Sequence, residues 1–347
     1  MPDPRPVMFV GSVPLKPADA VFERLGSAIG DLTPQIPDGE QAGWAEAVFP
    51  QVGACAAVEF SRQAMMTSEG PFAFPLPFYR LKPGNKPEDI VLGPYGIAEN
   101  AIKSYAAFVR AREIGQISAG TRFQVTIPGP LTTGSLIELP VEILLPIVER
   151  PLLAEISDIV AAIPAEDLTI QIDFAVEIEV EEYRRRPAAF DMPVAEGLSW
   201  SMADTTGSAA RLAAMIPEDV NLGFHLCSIW HIFKGAGQDN RVHVDYANKL
   251  AETVRRRIDY IHIPTIPEHD GDDFAPLADL KLAPETQLYL GVVHASDGID
   301  GARRRIEAAS KYASNFGVAH FCGLSQWGAK EDTIGPMIEL HRAAACC

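Results

Sequence analysis

Basic residues are scarce in this sequence. It contains 29 Lys and Arg against 46 Asp and Glu, which gives a formal net charge of -17 at pH 7. A protein of this charge repels a phosphate backbone, so the composition argues against nucleic acid binding as the main function. We therefore expect no nucleic acid partner and a surface that favours solubility.

Cysteines are few, and the N-terminus lacks a long apolar run. Five cysteines form an odd set without the dense, even spacing of a small secreted domain, which favours a reducing compartment. The first apolar run, Val7 to Val10, spans about four residues, too few for a signal peptide or a membrane span. We therefore expect a cytoplasmic protein without a membrane partner.

The sequence also lacks internal repeats, low-complexity tracts and an obvious linker. With 347 residues and 47% hydrophobic content, it is long enough to bury a large core, and we expect a single domain over residues 1–347. One stretch differs, because residues from about 65 to 94 are rich in Pro and Gly. We interpret this stretch as an irregular excursion over the mouth of the fold.

Short apolar runs alternate with longer helical patterns along the chain, which is typical of an α/β fold with a parallel sheet. The predicted strands are Val7 to Val10, Leu32 to Ile36, Arg122 to Ile127, Leu168 to Asp173, Val220 to Phe224, Tyr260 to Ile263, Gln287 to Val292 and Phe316 to Phe321. Eight such strands in a chain longer than about 250 residues predict a (β/α)8 TIM barrel with insertions. An open doubly wound sheet shares the alternation and is the alternative.

Helical patterns occupy the intervals between these strands. They run from Pro17 to Ile29, Ile97 to Ile117, Val141 to Ile163, Ser208 to Met215, Asp245 to Arg257 and Gly298 to Ser314. The last carries three consecutive arginines, which we interpret as a solvated helix face.

Two strand ends carry potential metal ligands. His225 and Cys227 follow one apolar run, and residues i and i+2 of a strand point to the same side. Cys322 follows another run and can complete the group. One imidazole and two thiolates suit zinc, and three protein ligands with an open position are typical of a catalytic site. The structural alternative is that these are ordinary buried cysteines beside an unrelated histidine.

Polar or ligating groups lie at six of the eight predicted strand ends, and in a barrel these ends share one mouth. The groups are Gly11 and Ser12, Asp38 to Glu40, Asp173, His225 with Cys227, His294, and Cys322. We therefore expect them to converge on one cavity. The alternative for any one of them is that strand ends meet loops, which are polar in any case.

With these residues assembled, the chain resembles the cobalamin-independent methionine synthase family, specifically its C-terminal catalytic barrel. That family lies within a superfamily that includes uroporphyrinogen decarboxylase. The most specific motifs are His225-Leu226-Cys227 and Cys322-Gly323-Leu324. The weaker similarities are Gly11-Ser12, Asp38-Gly39-Glu40, Pro128 to Thr132, Gln171-Ile172-Asp173, and Gly291 to His294.

The resemblance implies a role for each matching residue. Gly11 and Ser12 would hold the carboxylate of an amino-acid acceptor, while Glu40 and Asp173 would hold its ammonium group. His294 would donate a proton to the leaving group. An ammonium group beside two carboxylates is also a favourable arrangement on physical grounds.

The sequence departs from the family pattern at the fourth zinc ligand. The family has a Glu at the end of the sixth strand, where this chain has Pro264. Glu268 or His262 are possible substitutes, or the ion keeps three protein ligands. The chain also reads Phe174-Ala175-Val176 where the family continues with Glu-Pro-Ala.

The resemblance implies a zinc-dependent transferase that moves an alkyl group, most simply methyl, to a thiol. Homocysteine is the first acceptor to consider, and the donor is a folate, a methylcobamide or a small methylated or epoxide substrate. An epoxyalkane:coenzyme M transferase-like reaction is an alternative, with Arg80 and Lys82 available for a sulfonate. A metal-free decarboxylase-like barrel using Asp173 alone, and a thiol-binding module without catalysis, are further alternatives.

Overall fold

The strands predicted from the sequence form a nearly closed parallel barrel. The structure, a computed structural model, describes residues 3–41, 44–65, 75–187, 198–227, 240–325 and 330–347, with the backbone alone for residues 44–47. Its strands are β1 (Val7–Met8), β2 (Gln35–Pro37), β3 (Val58–Met65), β4 (Pro75–Leu81), β5 (Arg122–Pro128), β6 (Leu168–Phe174), β7 (Asn221–Leu226), β8 (Tyr260–Pro264), β9 (Gln287–Val293) and β10 (Phe316–His320). All except β3 and β4 pair in parallel, in the order β1-β10-β9-β8-β7-β6-β5-β2. The TIM-barrel prediction is confirmed.

The barrel closes between β1 and β2 through a few backbone contacts rather than a full ladder. Val7 N donates to Leu32 O at 2.9 Å, and Val13 N donates to Gly39 O at 3.2 Å. Ser12 and Gly39 form an isolated parallel bridge beyond the two strands. The segments after β1 and β2 therefore lie side by side at the carboxyl ends of the strands.

Helices lie between the strands of the barrel. They are α1 (Ala18–Ile29), α2 (Trp44–Ala54), α3 (Ile97–Glu113), α4 (Pro130–Gly134), α5 (Val141–Ala162), α6 (Val176–Arg185), α7 (Met202–Ala213), α8 (Arg241–Thr253), α9 (Gly298–Ala309) and α10 (Ile334–Ala345). Within the described residues, no helix combines the length and the hydropathy needed to cross a bilayer.

The end of α3 shows how a local signal sets a helix boundary. The sequence predicts this helix as far as Ile117, but it ends at Glu113. Gly115 has φ 77°, its N–H donates to Arg112 O, and Gln116 N donates to Ala111 O. This pair of bonds is a Schellman motif, which satisfies the last carbonyl groups and stops the helix at a glycine.

The prediction for α7 was wrong at its start. The helix begins at Met202 rather than at Ser208, because Ser201 and Asp204 form a capping box. Asp204 N donates to Ser201 Oγ at 3.3 Å, and Ser201 N donates to Asp204 Oδ2 at 2.7 Å. The Ser-x-x-Asp spacing is a recognisable sequence signal for a helix that begins at this point. The next helix, α8, likewise begins before its predicted start, at Arg241.

The stretch from about residue 65 to 94, predicted to be irregular, is bordered by one strand, β3, and contains another, β4. β3 and β4 pair antiparallel, from Val58 with Leu81 to Met65 with Pro75, while residues 66–74 lie outside the described part of the chain. Tyr79 N donates to Leu136 O at 2.8 Å, and Glu138 N donates to Tyr79 O at 2.8 Å. This hairpin is therefore attached to the segment that follows β5 and α4, at the carboxyl end of the barrel.

The barrel interior is filled by side chains, so the site is confined to the mouth. Met8, Tyr260, Tyr289 and Ala319 form one buried cluster. Tyr260 Oη donates to Gln171 Oε1 at 2.9 Å, so the phenol group of this cluster is paired. A filled interior is characteristic of small parallel barrels and leaves the strand ends to carry chemistry.

Candidate metal centre and substrate site

Three predicted ligands meet at the carboxyl ends of β7 and β10. One ligand atom from each of His225, Cys227 and Cys322 lies within 4.8 Å of the other two, and all three residues are buried. The two sulfur atoms are 3.6 Å apart. Two Zn–S bonds of about 2.3 Å at a tetrahedral angle place the sulfurs about 3.8 Å apart. The separation of the thiols therefore fits a shared zinc ion.

The imidazole of His225 has one nitrogen left for a metal. Its Nδ1 lies 2.7 Å from Nδ1 of His262. Its Nε2 is buried and has no hydrogen-bond partner among the described residues. Since buried polar atoms are normally paired, this orphaned nitrogen fits a site in which Nε2 binds a cation.

The surroundings of His225 and Cys227 favour the uncharged forms of these two side chains. Desolvation, together with the nearby His262 and His243, lowers the pKa of His225 well below its ordinary value. The hydrogen bond with Cys322, and burial, raise the pKa of the Cys227 thiol well above its ordinary value. A divalent cation reverses this preference for the thiols, because its charge favours thiolate ligands.

The candidates for a fourth ligand do not join this group. Pro264 ends β8 and offers no ligand atom on its side chain, and Glu268 is exposed. His262 contacts the ring of His225 instead of completing the cluster. Among the described residues, the group of possible ligands consists of one His and two Cys.

Two half-buried carboxyl groups, those of Asp173 and Glu40, lie close to the ligand cluster. Asp173 is the register partner of His225 across β6 and β7, and its Oδ1 accepts a hydrogen bond from Gln171 Nε2 at 2.7 Å. Burial raises the pKa of Asp173 well above its ordinary value, and the nearby charges of Glu40 and Cys322 add to this effect. The structure thus brings Asp173 and Glu40 close enough for their charges to interact at the mouth.

Glu40 is held in an unusual backbone conformation. Its φ is 55°, and its N–H donates to Asp38 Oδ1 at 2.8 Å in the turn after β2. The carboxylate lies over Gly11, where an added Cβ would overlap Glu40 Oε1 and would come within 3.1 Å of Thr126 Oγ1. Non-glycine residues with positive φ often occur at functional sites, where surrounding contacts hold them in place.

Ser12 lies where three strand ends meet. Its carbonyl accepts a hydrogen bond from Leu324 N at 2.6 Å, and it bridges to Gly39. Gly323 packs so closely that an added Cβ would overlap Ser12 Oγ and would lie 2.9 Å from Ser12 N. The hydroxyl of Ser12 is buried and unpaired within the described residues. The Cys-Gly-Leu motif thus combines a ligand with a glycine that Ser12 requires.

One aromatic ring, that of Phe321, separates His294 from the cysteine ligands. Its imidazole stacks on Phe321, with centroids 5.4 Å apart and planes 9° apart, and Phe321 belongs to a buried cluster with Cys227 and Cys322. Its Nε2 is 3.5 Å from Thr265 Oγ1. Burial, together with nearby charges that include Arg305, lowers the pKa of His294 well below its ordinary value, so the ring is neutral at pH 7.

A small cavity adjoins Glu40. Its volume is about 50 Å³, and its lining includes Asp38, Tyr95, Asn100 and Thr126. This space suits an ammonium group or a few water molecules rather than a whole substrate. The sequence did not single out Tyr95, Asn100 or Thr126 as site residues. Thr126 lies within β5, while Asn100 lies on α3 and Tyr95 just before it, so the three meet beside Glu40 only in the folded barrel.

The segment from Pro128 to Thr132, one of the weaker sequence similarities, has a structural role. Glu177 Oε1 accepts hydrogen bonds from Leu131 N at 2.9 Å and from Thr132 N at 3.0 Å, at the start of α4. Thr132 Oγ1 donates to Glu177 Oε2 at 2.5 Å. An added Cβ at Gly129 would lie 2.9 Å from Asp173 O. The Pro-Gly-Pro-Leu-Thr segment therefore supports the end of β6.

Structural comparison places this barrel beside two solved proteins. No protein-family model and no curated protein matches the sequence. A candidate vitamin-B12 independent methionine synthase from Listeria monocytogenes superimposes with a TM-score of 0.59 and 14% identity, covering 99% of this chain and 97% of the other. A B12-independent methionine synthase from Shewanella sp. W3-18-1, solved in complex with selenomethionine, gives a TM-score of 0.63 with the same identity and coverage.

The chain has the fold of these two structures. The family resemblance predicted from the His-x-Cys and Cys-Gly-Leu motifs is confirmed at the level of the fold, over 99% of the chain. At 14% identity the similarity speaks for the fold alone, so the roles of the site residues depend on the geometry described above.

Proposed function

We propose that this protein is a zinc-dependent transferase that moves a methyl or other alkyl group to a thiol. The observation that carries the proposal is the cluster of His225, Cys227 and Cys322, whose ligand atoms lie within 4.8 Å of one another at the barrel mouth. The three residues leave one coordination position open, which is the pattern of catalytic zinc.

The three ligands would hold the ion through His225 Nε2 and the two sulfur atoms. Zinc, when bound, favours the deprotonated and nucleophilic form of a thiol substrate at neutral pH. Most of the rate acceleration would then depend on how the protein orients the thiol and the alkyl donor.

An amino-acid thiol, with homocysteine first, is the acceptor that the surrounding charges favour. Glu40 and Asp173 are two neighbouring, half-buried carboxyl groups, and an ammonium group would relieve their repulsion. The unpaired hydroxyl of Ser12 is available to donate to the acceptor carboxylate. The similar Shewanella structure was solved with selenomethionine, the selenium analogue of methionine, which supports an amino acid as the ligand here.

The reaction is a displacement at carbon. The acceptor sulfur forms a bond to the alkyl carbon, the bond from that carbon to the leaving group breaks, and the leaving group takes up a proton. His294 is our candidate for the proton donor. The His294 ring is neutral in the free protein. To donate a proton it must first become protonated, and a bound leaving group that gains negative charge would raise the pKa of His294.

The coenzyme M alternative is less favoured by the geometry. A sulfonate acceptor requires a cation, but Arg80 pairs with Glu59 at 3.1 Å and Lys82 donates to Ala56 O at 2.6 Å, both in exposed positions on or beside the hairpin. The carboxyl groups of Glu40 and Asp173 would repel a sulfonate.

Metal analysis tests the proposal directly. Protein purified without added metal should contain about one zinc per chain, and Cys227→Ser and Cys322→Ser should each lose it. Cys55→Ser is the matched control, since Cys55 is also a buried free thiol but lies outside the cluster. The zinc-loaded protein should then alkylate homocysteine from at least one of a methylfolate, a methylcobamide or a small methyl donor.

Two results would contradict the proposal. Wild-type protein that contains no zinc, with folded variants, would favour a metal-free decarboxylase-like reaction at Asp173. Zinc binding and thiol binding without turnover for any donor would favour a thiol-binding module.

A further inference from the structure

The imidazole that faces His225 is itself unusual. His225 and His262 are register partners on β7 and β8, so their side chains point to the same side of the sheet. Their Nδ1 atoms are 2.7 Å apart, and their ring centroids are 4.8 Å apart with planes inclined by 43°. Both residues are buried, with exposures of 1% and 0%. This is a short, direct contact between two imidazoles rather than a loose packing contact.

Metal binding at His225 allows only one arrangement of protons across this contact. A 2.7 Å separation requires one Nδ1 to donate and the other to accept. If His262 donated, the neutral ring of His225 would carry its proton on Nε2, which would then have no lone pair for a cation. His225 Nδ1–H must therefore donate to His262 Nδ1, and the proton of His262 resides on Nε2.

We infer that His262 is a positioning residue that holds His225 in the tautomer and orientation needed for metal binding through Nε2. This inference rests on the metal site of the proposed function. His262 takes the place of the carboxylate or backbone carbonyl that usually accepts the second N–H of a metal-bound histidine. It acts through His225 and is not itself a ligand.

The choice of a neutral acceptor has a chemical consequence. A carboxylate partner raises the basicity of a ligating imidazole, whereas a neutral imidazole does so less. With two thiolates and a neutral His225, the protein ligands compensate the charge of the dication without an excess of negative charge. A zinc ion held by these residues would therefore attract an anionic thiol substrate strongly.

Two substitutions at His262 separate the hydrogen bond from simple packing. In His262→Asn, the amide oxygen occupies nearly the position of Nδ1 and can accept from His225. His262→Leu has a similar branching pattern and no acceptor, so it leaves a buried N–H unpaired. We expect His262→Leu to weaken zinc binding by about 10- to 100-fold, measured by competition with a chromophoric chelator, and His262→Asn to restore most of that loss.

A second measurement reports the tautomer without any assay of activity. In zinc-loaded wild-type protein, two-bond ¹H–¹⁵N correlation spectra should show His225 protonated at Nδ1 and His262 protonated at Nε2. Melting curves of the zinc-free variants establish that both are folded. The Nδ1 proton of His225 should persist in His262→Asn.

The outcomes separate this inference from the proposed function. If wild-type protein binds zinc and both variants bind it as tightly, or both lose affinity equally, the positioning role of His262 is wrong while the zinc site stands. An Nε2 proton on His225 in the zinc-loaded protein would also overturn it. If wild-type protein binds no zinc, the proposed function fails first.

Discussion

The carboxylate of Glu40 lies against the Cα of Gly11, so closely that an added methyl group would overlap Glu40 Oε1. This contact joins the segments after β1 and β2 at the point where the barrel closes. Glu40 reaches it with φ 55°, a conformation that the turn from Asp38 supports through a hydrogen bond. A small residue on one strand end and a strained residue on the next thus define one wall of the candidate substrate site.

Gly11→Ala should displace the Glu40 carboxylate and weaken acceptor binding. We expect the KM for homocysteine to rise by about tenfold or more, the equivalent of one lost charge-assisted contact. Zinc content should stay unchanged, because the metal ligands lie at the carboxyl ends of β7 and β10. Gly120→Ala is the control, since nothing lies within 4 Å of its added Cβ. An unchanged KM in Gly11→Ala would show that Glu40 does not contact the acceptor.

Glu40→Gln should discriminate between acceptors with and without an amino group. We expect kcat/KM for homocysteine to fall by about 10- to 100-fold, because a charge-assisted bond to the ammonium group is lost. The value for 4-mercaptobutyrate, which lacks that group, should change little. Steady-state rates with both thiols test this prediction. Equal losses for the two would argue that Glu40 does not bind the ammonium group.

Zinc removal should lower thermal stability. A ligand that binds only the folded state stabilises it by about 4 kcal/mol at a thousandfold excess over its Kd. We therefore expect the Tm to rise with free zinc concentration and to fall after chelation. Cys322→Ser should show neither dependence. A wild-type Tm that does not respond to zinc would contradict tight binding of zinc to the folded protein at this site.

Asp167→Asn should destabilise the protein in a pH-dependent way. Asp167 pairs with Arg112 through two contacts of 2.5 and 2.6 Å, and this pairing lowers the pKa of the carboxyl below its ordinary value of 3.8. A depressed carboxyl pKa stabilises the fold above the unfolded-state pKa, and this stabilisation is lost as the pH falls through the folded-state pKa.

We therefore expect Asp167→Asn to lower the free energy of unfolding by roughly 1 to 2 kcal/mol at neutral pH. The difference from wild type should shrink below about pH 4. Urea unfolding at several pH values measures it. Asp158→Asn, at an exposed position of α5, is the control and should show little change. A difference that persists undiminished at low pH would point to lost packing rather than lost charge.

The hairpin shows why one part of the fold escaped prediction. β4 contains Pro75 and Pro77, and proline usually argues against a strand because it cannot donate to the ladder. In a two-stranded sheet each strand has a free edge, so proline is tolerated there. Local propensity therefore predicted an irregular chain here, whereas hydrogen bonding with β3 makes the segment a strand.

The eight barrel strands and the three clustered ligands followed from the order of residues along the chain. Fully buried parallel strands appear as continuous apolar runs, and the period of two in a strand puts His225 and Cys227 on one side. Both properties are local, so no tertiary information was required. The contact of His262 with His225, the overlap that forces glycine at position 11, and the cavity beside Glu40 depend on strand register and helix packing. These relations join residues far apart in sequence, and they exist only once the barrel has closed.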